Sequence, residues 1–387
     1  MDFTESEELS LLRNELRRLL SSFGHAYYAE RTRAGAKLDS LWRRMAESEL
    51  LGVNVPTDYG GTGAGILELS VVCEELAASG CPLLMLILTG AICSSVLVRH
   101  GSEAQKRTWL PRFVRGEAKM AFAITEPNAG SNSHRLETVA RRQGDHYALR
   151  GSKCFISGVD EAAAILVVAR MEPDDGAQEQ RKSRLGLFIV PADAKKLEIR
   201  PIPFEIASPE KQFALFFDDV VVSIEERVGG EGDGWNALFA GLNPERITVA
   251  ATSNGIARYA LAKAAAYACE RKVWGAPIGA HQGLAHPLAQ CKVDVELARL
   301  MTTKAAWLYD RGLDAGEAAN MAKLAAADAA LEALDQAIQT HGGNGLTSEY
   351  GLSDLWGVAR LFRTAPVSRE MILNFVAQHS LGLPRSY

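Results

Sequence analysis

The sequence lacks the cysteine patterns of a metal site or a redox centre. Its six cysteines form no CxxC pair and no Cys/His spacing suited to zinc; they are Cys73, Cys81, Cys93, Cys154, Cys269 and Cys291. A chain of 387 residues buries enough apolar surface to need no disulfide bonds. We therefore expect buried, reduced thiols in a cytoplasmic protein, and no metal centre.

A strong charge of either sign is also missing. The formal net charge is −5, and the lysines and arginines are spread along the chain, which argues against a nucleic-acid-binding surface. The first residues, MDFTESEELS, contain neither a basic segment nor an apolar run, so no secretory signal is predicted.

Long apolar runs are scarce, and the longest candidate is a poor membrane span. Residues 81–98 are uncharged, but this length is at the lower limit of the roughly 17–25 residues that a spanning helix needs. The run also contains Pro82 and Gly90. We predict a buried core helix, or a helix that lines an apolar pocket, and no membrane span.

Glycine-rich nucleotide-binding loops are absent in the required context. The stretches GGTGAG (60–65) and GGEGDG (229–234) do not join a strand to a helix within a βαβ unit, and no GxxxxGK[ST] motif occurs. Both stretches are predicted to form turns.

The hydrophobic pattern that is present divides the chain into three zones. Residues 1–118 follow a helical period, residues 119–228 form short β-rich runs, and residues 229–387 are again helical and rich in alanine. The polar stretch 171–184 is predicted to be a solvated loop. Helices followed by a β unit and more helices indicate an α+β fold with a helical bundle at the end.

The stretch LNPERITVA (242–250) admits two interpretations. Asn243 and Pro244 are typical of a helix start, which would make Glu245 an ordinary first-turn acid near the positive end of the helix dipole. Alternatively, Glu245 is a carboxylate held at a helix terminus to accept a proton.

Four motifs, in order along the chain, resemble the acyl-CoA dehydrogenase family. AITEPNAGSNSHRLETVA (123–140) resembles the TEPxAGSD pattern, and KCFISG (153–158) resembles the strand beside the flavin. ERKVWGAPIGAHQ (270–282) and QTHGGNGLTSEY (339–350) are similar to ERxxFGxxIGxxQ and QxxGGxGxxxEY.

This resemblance implies a fold, a cofactor and partners. The fold would have an N-terminal helical domain, a central β-barrel-like domain and a C-terminal four-helix bundle. FAD would lie between the last two domains, completed by a neighbouring subunit of a homotetramer or homodimer. The implied reaction is α,β-dehydrogenation of an acyl-CoA, with electrons passing to an electron-transfer flavoprotein.

The resemblance also implies roles for individual residues. Thr125 and Ser157 would offer hydroxyls to the flavin, and Phe155 would lie against its ring. Arg271, Trp274 and Gln282 would reach the FAD of the adjacent subunit, the arginine being suited to a pyrophosphate. The other implied cofactor contacts are Ser131, Gln339, Gly342, Gly343, Ser368 and Glu370. Ser131 and Arg246 would also contact the substrate.

The catalytic base is expected at an alternative position. Many members of the family carry a glutamate where this chain has Pro366, which cannot accept a proton. A subset resembling isovaleryl-CoA dehydrogenase takes its base from a DxER-like segment at the start of a helix, and LNPERI matches it at Glu245 and Arg246. Glu245 is therefore predicted to remove the α-proton, with the backbone near Pro366 helping to polarise the thioester.

Departures from the family pattern leave other functions open. Asn132 and Asn243 stand where the family commonly has aspartates, and Phe155 stands where tryptophan is frequent. An enoyl-CoA reductase, or a flavoenzyme for a substrate without CoA, would fit these changes. Pro366 would also fit a non-catalytic subunit that pairs with an active homologue.

Overall fold

The computed structural model describes residues 4–172, 185–230 and 232–385. Its first part is helical: α1 (Glu7–Leu20), α2 (His25–Arg33), α3 (Asp39–Glu47), α4 (Ile66–Ala78), α5 (Leu84–Leu86), α6 (Ser94–His100) and α7 (Glu103–Val114). A π-helical segment, Ile87–Cys93, joins α5 to α6. Residues 84–100 thus form one buried helical rod, as predicted, and no helix of the described residues is long and apolar enough to cross a membrane.

The central part is one mixed sheet with its own apolar core. Its strands are β1 (Met120–Ala123), β2 (Val139–Gln143), β3 (His146–Ser157), β4 (Ala164–Met171), β5 (Leu185–Pro191), β6 (Leu197–Ile202), β7 (Gln212–Ser223) and β8 (Arg227–Val228). Their order is β6-β7-β3-β2-β4-β5-β8, with β1 parallel to β4. The loop predicted at 171–184 lies almost wholly outside the described residues.

The last part is a helical bundle. It consists of α8 (Gly234–Glu270), α9 (Gln282–Asp310), α10 (Gly316–His341), α11 (Ser353–Thr364) and α12 (Arg369–Phe375). A short hairpin of β9 (Lys272–Val273) and β10 (Ala276–Pro277) follows α8. The alanines that α10 contributes are mostly buried, because small side chains let neighbouring helices approach closely. The predicted α+β fold is confirmed.

The predicted helix start at Asn243 is wrong. Pro244 lies well inside α8, which begins at Gly234. A proline has no N–H and leaves the carbonyl four residues earlier without its helical partner. Here the Tyr309 hydroxyl of α9 donates to that carbonyl, Ala240 O, at 2.8 Å. A long-range hydrogen bond therefore allows the helix to continue through the proline, and Glu245 is not a first-turn acid.

The thiol prediction is partly wrong as well. All six cysteines are free, and Cys73, Cys81, Cys93 and Cys291 are buried. Cys154 is half-buried and Cys269 is exposed. Cys269 lies in the last turn of α8.

Replacement of Tyr309 by phenylalanine should destabilise the protein. The Ala240 carbonyl would be buried without a donor, which costs about 1–3 kcal/mol of unfolding free energy. Chemical denaturation of Tyr309→Phe measures this loss. Tyr59→Phe is the matched control, because the Tyr59 hydroxyl bonds an exposed carboxylate of Glu103; equal effects of the two substitutions would contradict this role of Tyr309.

Candidate active site

A buried ion pair fixes the loop that carries the first motif. Glu126 and Lys153 are both buried, and their side chains meet at 2.8 Å. Glu126 also accepts backbone N–H groups of Glu137 (2.5 Å) and Thr138 (3.0 Å), while Lys153 donates to Ile124 O at 2.9 Å. The pair ties the 124–138 loop to β3. No role was predicted for either residue, although both lie within the motifs that resemble the family.

This arrangement brings together the hydroxyls predicted to face the flavin. Cys154 N donates to Thr125 O at 3.0 Å, so the loop runs directly beside the end of β3. The ladder between β3 and β7 is irregular between Lys153 and Ile156, and Phe155 has a φ of 58° there. This bulge turns the Phe155 side chain outward, leaving it 58% exposed, while Ser157 is half-buried.

The sheet meets the helical bundle close to these hydroxyls. A narrow gap of about 10 Å³ lies between Gln212 of β7, Thr252 of α8 and Phe362 of α11. Ser157 is the direct cross-strand neighbour of Gln212. Since Thr252 lies about two helical turns beyond Glu245, the end of β3 and the predicted base flank the same boundary between domains.

Glu245 has the electrostatic properties of a base. It lies on α8 and is only partly accessible to solvent. Burial raises the pKa of its carboxyl to about 7, and the positive charges of Arg246 and Lys323 limit the rise. Its negative charge also contributes to raising the pKa of the buried Cys93 thiol, which shows that Glu245 lies near the π-helical segment. A carboxyl with this pKa exchanges protons readily at neutral pH.

Arg246 has an unused donor. One guanidinium nitrogen, Nη1, donates to Asn243 Oδ1 at 2.9 Å. Its Nε is buried and has no hydrogen-bond partner in the described part of the chain. A buried N–H without a partner is costly, so this atom is suited to a ligand. The contact also shows what Asn243 does in place of an aspartate: it orients Arg246 through an amide oxygen.

Lys323 holds the segment around Pro366 beside the base. The side chain is almost completely buried, and Nζ donates to Val367 O at 2.6 Å and Arg363 O at 3.4 Å. Burial lowers the pKa of Lys323 to about 8. Pro366 itself has no N–H. Any backbone N–H that donates to the thioester oxygen must therefore come from a neighbouring residue. The predicted polarisation of the thioester can then be due only to the neighbours of Pro366.

The structure places the remaining predicted residues elsewhere. Ser131 is exposed, in a loop whose His134 ring packs on Trp235 at 4.8 Å. Ser368 caps α12 and accepts from Met371 N at 3.3 Å, and Glu370 is exposed in the first turn of the same helix.

A third group of predicted residues lies at the far end of the bundle. Arg271 lines an open pocket of about 420 Å³ together with Lys263, Tyr267, His341, Asn344 and Tyr350. Trp274, at the tip of the β9–β10 hairpin, is 91% exposed, and the Gln339 side chain is exposed too. Gln282 begins α9 after the hairpin. At a rise of about 1.5 Å per residue, Arg271 lies about 39 Å along α8 from Glu245, so one chain does not bring these residues to its own base.

The space beside Gly342 and Gly343, the two glycines of this third group, is open. Gly342 has a φ of 59°, which favours glycine. No atom of the described residues lies within 4 Å of the place that a Cβ would take at Gly342 or Gly343. His341, beside them, is buried at the end of α10, and its Nδ1 lies 2.7 Å from Ala337 O. It is a helix-end histidine whose ring nitrogen has a backbone partner.

Three family models match the chain in the order of its structural zones. They are the N-terminal domain of acyl-CoA dehydrogenase at residues 6–117, the middle domain at 121–220 and the C-terminal domain at 232–381. The chain belongs to the acyl-CoA dehydrogenase family. The resemblance seen in the four motifs is thereby confirmed for the family as a whole.

Individual relatives and structures agree with this assignment. The chain is 52% identical to the acyl-CoA dehydrogenase FadE12 of Mycobacterium tuberculosis, over 100% of this chain and 99% of the relative. The structure of a glutaryl-coenzyme A dehydrogenase with glutaryl-CoA is 29% identical, with a TM-score of 0.94, covering 100% of this chain and 98% of the other. An FAD complex of PigA is 25% identical, with a TM-score of 0.91 and coverage of 99% and 100%.

Glu245→Gln should stabilise the protein in a pH-dependent way. The pKa of Glu245 in the folded protein, about 7, exceeds its ordinary value of 4.5. As the pH rises from 4.5 to 7, ionisation of Glu245 therefore lowers the free energy of unfolding of the wild type, by at most about 3 kcal/mol in total. Thermal unfolding should show equal stability below pH 4.5, and an advantage for the variant that grows up to pH 7 and then levels off.

The control for this experiment is Glu30→Gln, which removes an exposed carboxylate of α2. It should not show the same pH-dependent gain. A constant difference between Glu245→Gln and wild type across this pH range would mean that the Glu245 carboxyl titrates at its ordinary pKa.

Proposed function

We propose that the protein is an FAD-dependent acyl-CoA dehydrogenase in which Glu245 removes the α-proton of the acyl thioester. The observation that carries this proposal is the coincidence of two features. The usual base position holds Pro366, and the alternative position holds a carboxyl whose pKa is about 7. A base with this pKa is largely ionised at slightly alkaline pH and still binds a proton firmly enough to take one from carbon.

The residues present fit FAD. The outward Phe155 ring and the half-buried Thr125 and Ser157 provide a flat apolar surface and hydroxyls at the edge of the sheet. Gly342 and Gly343 leave room for close backbone approach, and Arg271 offers a fork for a pyrophosphate. Ser368 and Glu370 would hold the adenine side. Bound FAD supplies the acceptor for the hydride that leaves the β-carbon.

The chain's own groups then carry out the rest of the reaction. Glu245 takes the α-proton, and Arg246 and Lys323 stabilise the ionised form that makes this possible. The unpartnered Nε of Arg246 is suited to an oxygen acceptor of the substrate. Ser131 would meet the CoA portion near the surface. We place the reaction in the cytoplasm, where free thiols such as these stay reduced, and infer an electron-transfer flavoprotein as electron acceptor.

We also infer that the enzyme acts as a homotetramer. The separation of about 39 Å between Glu245 and Arg271 means that Arg271, Trp274 and Gln282 would serve a neighbouring subunit. Exposed apolar residues on one face of α9 provide a contact surface for such a neighbour; they are Val293, Leu297, Leu300 and Trp307. Their spacings of four, three and seven residues keep them on one face of the helix, and such a stripe of apolar residues is unusual for a surface that faces only water.

Anaerobic titration with a panel of acyl-CoAs tests the base. Wild type should lose its oxidised-flavin absorbance with at least one thioester. Glu245→Gln should bind the same thioester but be reduced about 10²–10⁴ times more slowly, because no group remains to accept the α-proton. The wild-type reduction rate should increase with pH through about 7.

Glu30→Gln again serves as the control and should behave like wild type. Equal reduction rates of wild type and Glu245→Gln would place the base elsewhere. Wild-type protein without bound flavin, and without a response to any thioester, would favour a non-catalytic subunit.

Leu297→Glu combined with Leu300→Glu tests the assembly. Carboxylates on the α9 stripe should separate the subunits, and loss of the neighbour's Arg271 should lower the FAD content. Light scattering and the flavin-to-protein absorbance ratio measure the two effects. Leu11→Glu on α1 is a control with the same 61% exposure as Leu297; an unchanged mass of the double variant would contradict the proposed interface.

A further inference from the structure

The Ser157 hydroxyl has a protein partner that lies outside all the family motifs found in the sequence. Gln212, the first residue of β7, is only 4% exposed and pairs directly with Ser157 of β3. Its Nε2 lies 2.8 Å from Ser157 Oγ, and its Oε1 lies 3.1 Å from the same oxygen. The amide nitrogen is thus the closer partner.

The orientation of this amide decides what the hydroxyl can do. A serine hydroxyl has one hydrogen and two lone pairs, whereas an amide NH₂ can only donate. When Gln212 Nε2–H occupies a lone pair of Oγ, the Ser157 hydrogen remains available for an acceptor outside the sheet. Ser157 Oγ also lies within donating distance of Oε1, at 3.1 Å, and a hydroxyl hydrogen donated to that oxygen would no longer be free for an outside acceptor.

The surroundings restrain Gln212. Gly158 N donates to Lys211 O at 2.9 Å, and Gln212 itself also pairs with Ile202 of β6, so the backbone is held on both sides. The gap between Gln212, Thr252 and Phe362 measures only about 10 Å³. That is at most the space of one water molecule, so solvent is a poor substitute for the amide.

We propose that Gln212 is a positioning residue that keeps the Ser157 hydroxyl available as a donor to bound flavin. The proposal rests on the proposed function, in which Ser157 contacts the cofactor. A fixed donor stabilises the reduced, more electron-rich cofactor more than the oxidised one. Gln212 therefore influences how readily FAD is reduced, without touching it.

A double-mutant cycle on the FAD-loaded enzyme tests this. The measured quantity is the equilibrium between oxidised and reduced bound flavin, read against a reference dye without any acyl-CoA. Ser157→Ala and Gln212→Leu should each shift this equilibrium about tenfold toward the oxidised form, the size expected for one lost hydrogen bond. The double variant should also shift about tenfold, and not about a hundredfold, because Gln212 acts on the flavin only through the Ser157 donor.

Gln212→Glu provides a readout that a purely structural role would not give. The substitution keeps the shape of the side chain, but an ionised carboxylate only accepts and would draw the Ser157 hydrogen toward itself. At high pH, the flavin equilibrium of Gln212→Glu should differ from that of wild type at the same pH by as much as that of Ser157→Ala does. It should diminish at low pH, where the protonated carboxyl can donate again.

Gln105→Leu is the matched control. Gln105, on α7, is buried to a similar degree and donates to the backbone carbonyls of Glu225 and Arg227. Its loss should lower stability and leave the flavin equilibrium unchanged. If Ser157→Ala has no effect, the proposed contact of Ser157 with FAD fails. If Ser157→Ala shifts the equilibrium but Gln212→Leu does not, or the two shifts multiply, the positioning role of Gln212 is wrong.

Discussion

The removal of one carboxyl, Glu245, from water is the constraint on which the rest of the site depends. Burial alone would raise the pKa of Glu245 further and keep the carboxyl protonated above neutral pH. A nearby cation without this burial would lower the pKa and leave the carboxylate too weak a base. Arg246 and Lys323 supply positive charge, yet burial still outweighs them and the pKa settles at about 7. The fold thus holds a carboxyl whose ionised state is less stable at neutral pH than it would be in water, which is the property that the proposed base requires.

Long-range contacts hold this carboxyl in place. Tyr309 of α9 satisfies the carbonyl that Pro244 leaves free, so α8 runs uninterrupted past Glu245. Lys323 of α10 fixes the backbone on either side of Pro366 and brings its charge to the same region. In the sheet, the Glu126–Lys153 ion pair likewise holds the 124–138 loop against β3. The helical bundle thus contributes two of these buried polar contacts and the sheet contributes one.

The sequence was informative where a local pattern carries the signal. Helical and β periodicity predicted the observed order of a helical, a β and a second helical part, and four motifs identified the family. The start of α8 was misplaced, because Asn243 and Pro244 are locally as good a helix start as any; the partner that keeps the helix intact is Tyr309, far along the chain. Gln212 and Lys323 were missed for the same reason. Both have buried side chains whose partners no spacing rule connects, whereas Glu245 was predicted to be the base by its match to an aligned motif.

Exchange of the substrate α-hydrogen with D₂O tests the central claim most directly, since it isolates proton removal from everything that follows. An acyl-CoA that binds but has no β-hydrogen to lose, mixed with enzyme and followed by mass spectrometry, reports this step alone. Wild type should incorporate deuterium at the α-carbon, with a rate that rises through pH 7, and Glu245→Gln should not. Equal incorporation by both proteins would show that another group removes the α-proton.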